Sequence, residues 1–276
     1  MNFIDRLLGK DRSGLPPRDL ADVFEPLRVP AVQVMLTTDA SRSHFGGSAE
    51  LPPGVAWPQI DGRPLDLLAR LSLADLQAEL PTEWLPKAGA LLFFYDMAEQ
   101  PWGFDPRDRG RFAVLLVPDM EDFVEADDDP MIDIRHHPVD FRRVELLPSL
   151  ESTDVLSLNL NEEEWDRVQD FQNEPFEGKS QHQVGGPAAP IQNDEMELDC
   201  QLVTHGLYCG DSSGYHDPRA AALRRGAANW RLLLQFDSDE DLNVMWGDMG
   251  RLYFWVEADR ARRGDFSNVW VIMQCS

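Results

Sequence analysis

Apolar residues along this chain fall in short runs between polar stretches, and their spacing separates strands from helices. VPAVQVMLT (29–37), the mostly apolar run 65–71, ALLFFYD (90–96) and RFAVLLV (111–117) are short and rich in β-branched, aliphatic or aromatic residues, and they predict strands. A further strand is predicted over 139–147. Three more occur near the C-terminus in NWRLLLQF, RLYFWVE and NVWVIMQC, the last two separated by a helical turn in ADRARRGD. Helical spacing occurs at Phe3, Ile4, Leu7 and Leu8, in PPRDLADVFEPL, and in SLADLQAEL, where Ser72 and Asp75 stand at capping-box spacing. It occurs again over 162–171, with Asn161 and Glu164 as the cap. DPRAAALRRG predicts a helix with Asp217 as N-cap, Pro218 at the first position and Gly226 as the stop. Residues 43–58 hold three Gly and three Pro in sixteen positions, which predicts neither a helix nor a central strand.

The strand pattern occurs twice. SHFGGSAELP aligns with QHQVGGPAAP, LDLLARLSL with WRLLLQFDS, GALLFFYD with GRLYFWVE, and RFAVLLV with NVWVIMQ. The expected fold is α+β: a mainly antiparallel sheet built from two duplicated meander-like halves, with a few short helices. A helical segment at 1–28 precedes one domain over 29–276. Its pseudo-repeats lie at about 29–118 and 180–276 and are joined by an acidic middle segment, 119–179. Strict β-α alternation, which a doubly wound fold needs, is absent.

Charge adds to this picture. The net of −24 comes from 49 acids and 25 bases, and residues 119–199 alone hold 23 acids and 5 bases. Such a segment repels a phosphate backbone, so no nucleic-acid partner is expected; it favours a basic protein partner or simply a solvated acidic face. No apolar run reaches the ~18 residues that a membrane helix needs. The N-terminus does not read as a secretory signal. Three cysteines, Cys200, Cys209 and Cys275, are read as free thiols of a cytoplasmic protein.

SHFGGSAELPPGVAWP, PLDLLARLSLADL, LPKAGALLFFYD, HQVGGPAAPIQ and the block from NWRLLLQF to the C-terminus together resemble the YwqG-like family, a bacterial family of unknown function. Gln235, Trp246, Gly247, Asp248, Gly250, Phe254, Asp265, Phe266 and Gln274 carry the most specific part. The resemblance supplies no activity, cofactor or catalytic residue. Members often occur beside toxin genes or among immunity proteins, which implies an immunity or interaction role.

FDSDEDLNVMWGDMG (236–250) is the densest candidate for chemistry. Asp237, Asp239, Asp241 and Asp248 echo the oxygen spacing of a calcium loop, but Leu242 stands where the turn needs glycine and Asp248 where a bidentate Glu is usual. The loop is therefore read as a strand connection in which Asp237 and Asp239 accept backbone N–H bonds. No metal, cofactor or catalytic residue is expected. Cys200, His205, Cys209 and His216 lack the short knuckles of a zinc site, and QLVTHGLYCGDSSGYH mixes a strand-like piece with a Gly/Ser turn. Cys209 to Gly214 lacks a nucleophile-elbow context. Neither Gly-Gly pair continues into a phosphate loop, and their repetition suggests one tight backbone crossing used twice.

The leading expectation is a non-enzymatic protein-binding protein, an immunity protein against a basic toxin being its narrowest form. The alternative is a small-molecule binder or hydrolase with a pocket between the halves, lined by His182, Gln235, Trp246 and Asp248. Asp248 is the carboxylate to mutate first.

Overall fold

The computed structural model describes residues 18–47, 51–118 and 134–276. The amphipathic stretch at 3–8 and the acids of 121–133 lie outside the described residues. Twelve strands are described: β1 (Val29–Leu36), β2 (His44–Phe45), β3 (Gln59–Ile60), β4 (Arg63–Pro64), β5 (Asp66–Ser72), β6 (Ala90–Tyr95), β7 (Phe112–Val117), β8 (His137–Leu146), β9 (Gln183–Val184), β10 (Trp230–Asp237), β11 (Arg251–Glu257) and β12 (Trp270–Gln274). Four helices matter below: α1 (Leu20–Phe24), α2 (Leu73–Glu79), α3 (Glu162–Asn173) and α4 (Met196–Val203). Both predicted caps form. Ser72 accepts the Asp75 amide, and Asn161 with Glu164 makes a full capping box.

Ten strands form one antiparallel sheet in the order β12-β11-β10-β9-β1-β8-β2-β5-β6-β7, while β3 and β4 make a separate ribbon. Outward from the central β1–β8 pair, one side runs β9, β10, β11, β12 and the other β2, β5, β6, β7. The two sides match in register. β2 sets Phe45 opposite Ala69 on β5 and His137 on β8. β9 sets Gln183 opposite Gln235 on β10 and Gln33 on β1. Both long hairpins carry a bulge at the same place, between Leu67 and Ala69 and between Leu232 and Leu234. The fold is thus α+β with a repeated meander, and β1, the first of the described strands, lies beside β9 in the half made of the last strands.

The two Gly-Gly pairs make the repeated crossing. Gly46, Gly47, Gly185 and Gly186 all have positive φ, between 59° and 72°. A Cβ on Gly46 would lie 2.2 Å from the Ile134 carbonyl, and one on Gly186 2.6 Å from the Ala31 Cβ, so a side chain fails at both on conformation and on space. Aligned on these glycines, His44 corresponds to Gln183, and His182 to Ser43.

The halves close face to face. Phe93 and Phe254, equivalent in the two copies, meet edge to face with centroids 5.3 Å apart. Phe112 meets Trp270 at 5.0 Å, Tyr95 meets Trp246 at 5.8 Å, and Phe45 stacks on Phe236 at 4.6 Å. Each such pair adds about 0.5–1.5 kcal/mol to the burial of its rings. Aromatic side chains therefore fill the space between the halves.

Three expectations need correction. His44–Phe45 is a strand in the middle of the sheet despite its Gly/Pro-rich surroundings, because two residues suffice to bridge β5 and β8 before the glycines turn the chain. The helix expected from Asp217 to Gly226 is one α-turn, Ala220–Leu223, followed by 3-10 helix over Arg224–Asn229, with Asp217 bound to the Arg219 amide instead of capping it. The strand-like piece at Cys200 to Val203 is the end of α4, whose buried face packs on β10 and β12. Among the described residues, no helix is long and apolar enough to cross a membrane.

Candidate functional site

The halves differ just after their first long strand. Leaving β5, the chain enters α2, which buries Leu73 and Leu76 and reaches β8 through Glu79. Leaving β10, it enters the acidic loop 238–249. Asp239 and Val244 exchange backbone bonds at 3.0 Å, and Asn243 at positive φ turns the tight hairpin between them. Leu242, Val244 and Trp246 point inward and are buried, while Met245 and Met249 are 57% and 58% exposed. Exposure of two neighbouring methionines is costly in water and typical of adaptable contact surfaces.

The carboxylates of this loop serve the fold in different degrees. Asp237 accepts the Gln181 amide at 2.8 Å and the Arg251 guanidinium at 2.8 Å. Asp239 Oδ1 accepts the amides of Asp241 and Leu242, and Oδ2 takes His182 Nε2 at 3.0 Å. Burial works against the Asp239 charge, but hydrogen bonds from His182 and Ser180 prevail and hold the carboxyl down at about 2. The side chains of Glu240, Asp241 and Asp248 extend outward on exposed positions. Among the described residues, no group of three or more His, Cys, Asp or Glu is placed to hold a metal ion.

Between this loop, segment 178–182 and the end of β1 runs a groove of about 480 Å³. Its walls carry Leu36, Val244, Met245 and Met249, and its rim Asp239, Glu240 and Asp241, with Lys179 as the lining cation. His182 forms part of its floor. The Asp237 amide donates to His182 Nδ1 at 3.1 Å, which leaves the proton on Nε2 for Asp239. Phe45 and Phe236 flank the ring at 4.9 and 5.1 Å, so the imidazole is held from four sides.

Of the other residues singled out in the sequence, Gln235 is fully buried. It accepts the Ala189 amide at 2.9 Å and donates to the Gln181 carbonyl at 2.7 Å. Trp246 is also fully buried, its indole N–H donating to the Asp237 carbonyl at 3.2 Å. Asp248 lies on the exposed turn before Gly250, where its carbonyl accepts the Ser276 amide. The fold therefore brings His182 to the groove, sets Gln235 and Trp246 behind it, and leaves Asp248 on the outer surface of the same loop.

A second, smaller pocket of about 240 Å³ lies behind the loop 187–193. Gln235, Arg251, Tyr253 and Gln274 pin that loop to the sheet, Arg251 and Tyr253 both donating to the Ala189 carbonyl at 2.8 Å. Gln183 lines this pocket. Its amide N donates to Gly185 and Pro187, and its Oε1 is buried without a partner.

The Cys/His group does not converge. His205 and His216 each bond a carbonyl four residues back, Gln201 at 2.7 Å and Ser212 at 2.6 Å. Cys200 and Cys209 are buried, and desolvation pushes the Cys209 thiol up to about 12, far from a nucleophilic thiolate. The same region holds an acid that sequence reasoning missed. Asp199 is buried on α4 with a pKa raised by burial to about 6, and Tyr215 donates to its Oδ1 at 2.6 Å. Its place beside apolar residues in MELDCQLV was the one available signal. The exposed methionines had none, since hydrophobicity argues for burial.

Residues 43–275 match the model of a domain of unknown function, DUF1963. No protein of curated function matches the chain.

Proposed function

We propose that this chain, which belongs to the DUF1963 family, is a protein-binding protein that takes a basic segment of its partner into the groove beside loop 238–249. The observation that carries this reading is the groove itself: exposed methionines and aliphatic side chains for apolar contact, rimmed by carboxylates. Apolar contact supplies affinity, and the acidic rim supplies orientation and a faster encounter with a basic partner. The aromatic filling between the halves supports this reading over a ligand cleft at that interface. Exposed acids on α3 (Glu162, Glu163, Asp166 and Asp170) extend the negative surface. Glu164 on the same helix is instead tied to Arg18, whose guanidinium holds its carboxyl down at about 2.

In its narrowest form this is an immunity role against a basic toxin, in keeping with the resemblance to YwqG-like proteins. Three unpaired, buried cysteines agree with a cytoplasmic setting. A photo-crosslinking residue at Met245, with one at exposed Trp102 as control, tests the reading in native extract. We expect Met245 to capture a basic protein, and Glu240→Gln with Asp241→Asn to abolish that capture. Equal capture from both positions, or capture indifferent to the charge change, overturns it.

A further inference from the structure

The groove contains an open sheet edge. β1 pairs with β8 along its whole length, from Val29 opposite Leu146 to Leu36 opposite Val139, but with β9 only at Val32 and Gln33. The Val34 amide donates away from β8, to the His182 carbonyl at 2.9 Å, and the Thr37 amide donates back toward β8, to Pro138 at 3.0 Å. Backbone groups alternate sides along a strand, so the Leu36 amide points the same way as that of Val34, into the groove. Among the hydrogen bonds of the described residues, none takes the Leu36 amide.

The other half closes the equivalent edge. On β8 the counterpart of Leu36 is Phe141, whose amide is taken by the Asp140 carboxylate at 2.9 Å. Two residues on, the Arg143 amide is taken by Glu79 of α2 at 3.3 Å, and Ser41 donates to the Val139 carbonyl at 2.7 Å. Side-chain oxygens and a helix thus blunt one copy of the edge. In the second half β9 begins only at Gln183, no helix follows β10, and the edge before β9 faces the groove. An open edge is a template for another strand, and proteins ordinarily cover it.

We infer that the partner segment docks in extended form, adding a strand to β1 at Leu36; this rests on the protein-binding reading above. Strand addition would set alternate side chains on opposite faces, one row against Val244, Met245 and Met249 and the other toward Glu240 and Asp241. The occupant is therefore a short stretch in which apolar and basic residues alternate. The acidic rim selects for basic side chains by charge complementarity, and the added strand would register on Leu36, just beyond the stretch of β1 that β9 and His182 already hold.

The probe is a seven-residue peptide of alternating lysine and valine, acetylated and amidated, with two versions N-methylated at the valines or at the lysines. Each methylated version blocks one edge of the peptide. Titration should show that one version, not both, binds at least tenfold more weakly than the parent. Leu36→Pro, which removes the groove-facing N–H at a position an edge strand tolerates, should give a similar loss. Hydrogen exchange should show the Leu36 amide protected by the parent peptide. Glu240→Gln with Asp241→Asn should weaken all versions and flatten their salt dependence.

If both methylated versions bind as the parent does while the charge variant still weakens binding, strand addition is wrong and the groove reading stands. If the charge variant also has no effect, both fall, and failure of the parent peptide to bind overturns strand addition directly. Protection of the Leu36 amide that rises with protein concentration alone would assign the edge to a second copy of the chain and overturn the partner segment. The methylated peptides keep the test decisive should Leu36→Pro not fold.

Discussion

The same position along the sheet is solved differently in the two halves. In the first, Ser72 ends β5, caps α2, and its amide is taken by the Ser43 hydroxyl at 2.9 Å. In the second, Asp237 ends β10, its amide is taken by the His182 imidazole at 3.1 Å, and no helix follows. Two positions earlier, Arg70 donates to the Arg42 carbonyl where Gln235 donates to that of Gln181. The backbone scheme is shared between the copies and its side-chain suppliers are not. One half uses the position for packing, and the other for a groove with an open edge. Where two copies share a framework, the place at which they depart from each other is the place to look for function.

The strongest test of the shared framework is the aromatic pair on its axis. Phe93→Ala and Phe254→Ala should each cost about 3–5 kcal/mol in urea unfolding, and the double variant less than their sum, because one ring lost already strands the other. Additive costs would mean that the two halves do not pack on each other there.

The second test separates the halves by pH. Burial, with His136 adjoining, lowers His44 to about 4. A His with a depressed folded pKa binds its proton more readily in the unfolded chain, so stability falls as pH drops from 6.5 toward 4, by roughly 3 kcal/mol. His44→Gln installs the residue of the other half and should remove that loss. Asp199, with its folded pKa raised to about 6, acts oppositely: its contribution rises as pH falls from above 6 toward 3.8. Asp199→Asn should remove that gain. Chemical denaturation of both variants between pH 7 and 4 reads the two contributions separately.

Next in size is the pinned loop. Gln235→Leu leaves the Ala189 amide and the Gln181 carbonyl without partners, at a cost of about 1–3 kcal/mol. Exchange protection should be lost first in residues 187–192. The smallest expected change in stability is the most informative about function. Met245→Ser with Met249→Ser should shift stability by no more than about 0.5 kcal/mol, yet strip apolar contact from the groove and weaken partner binding.

Much of the framework was legible because local rules and tertiary demands agree in it. The long strands, the caps of Ser72 and Asn161, and the Gly-Gly crossings each follow from residues that do one thing in any context. The two-residue strands β2 and β9 were not legible, since nothing in HF or QV distinguishes them from loop until β1, β5, β8 and β10 stand on either side. α4 was obscured because its apolar and polar residues interleave around a buried face that only the sheet defines. The candidate site was half legible. The reading of Asp237 and Asp239 as amide acceptors holds, but the groove depends on what is missing opposite it, and a single strand of sequence does not display a missing neighbour.

The order of the sheet also sets a schedule. β1 leaves the ribosome before its partners: the strand that pairs along its whole length ends at Leu146, and β9 comes later still. Until residues 139–146 have been made β1 is a nascent hydrophobic strand with both edges bare, and its partners return across more than a hundred residues. Pairing at such separation is slow, and an unpaired strand waiting that long is exposed to aggregation. Placing the central strand ahead of its partners makes folding of the sheet's centre wait for residue 184, when both neighbours of β1 have been made.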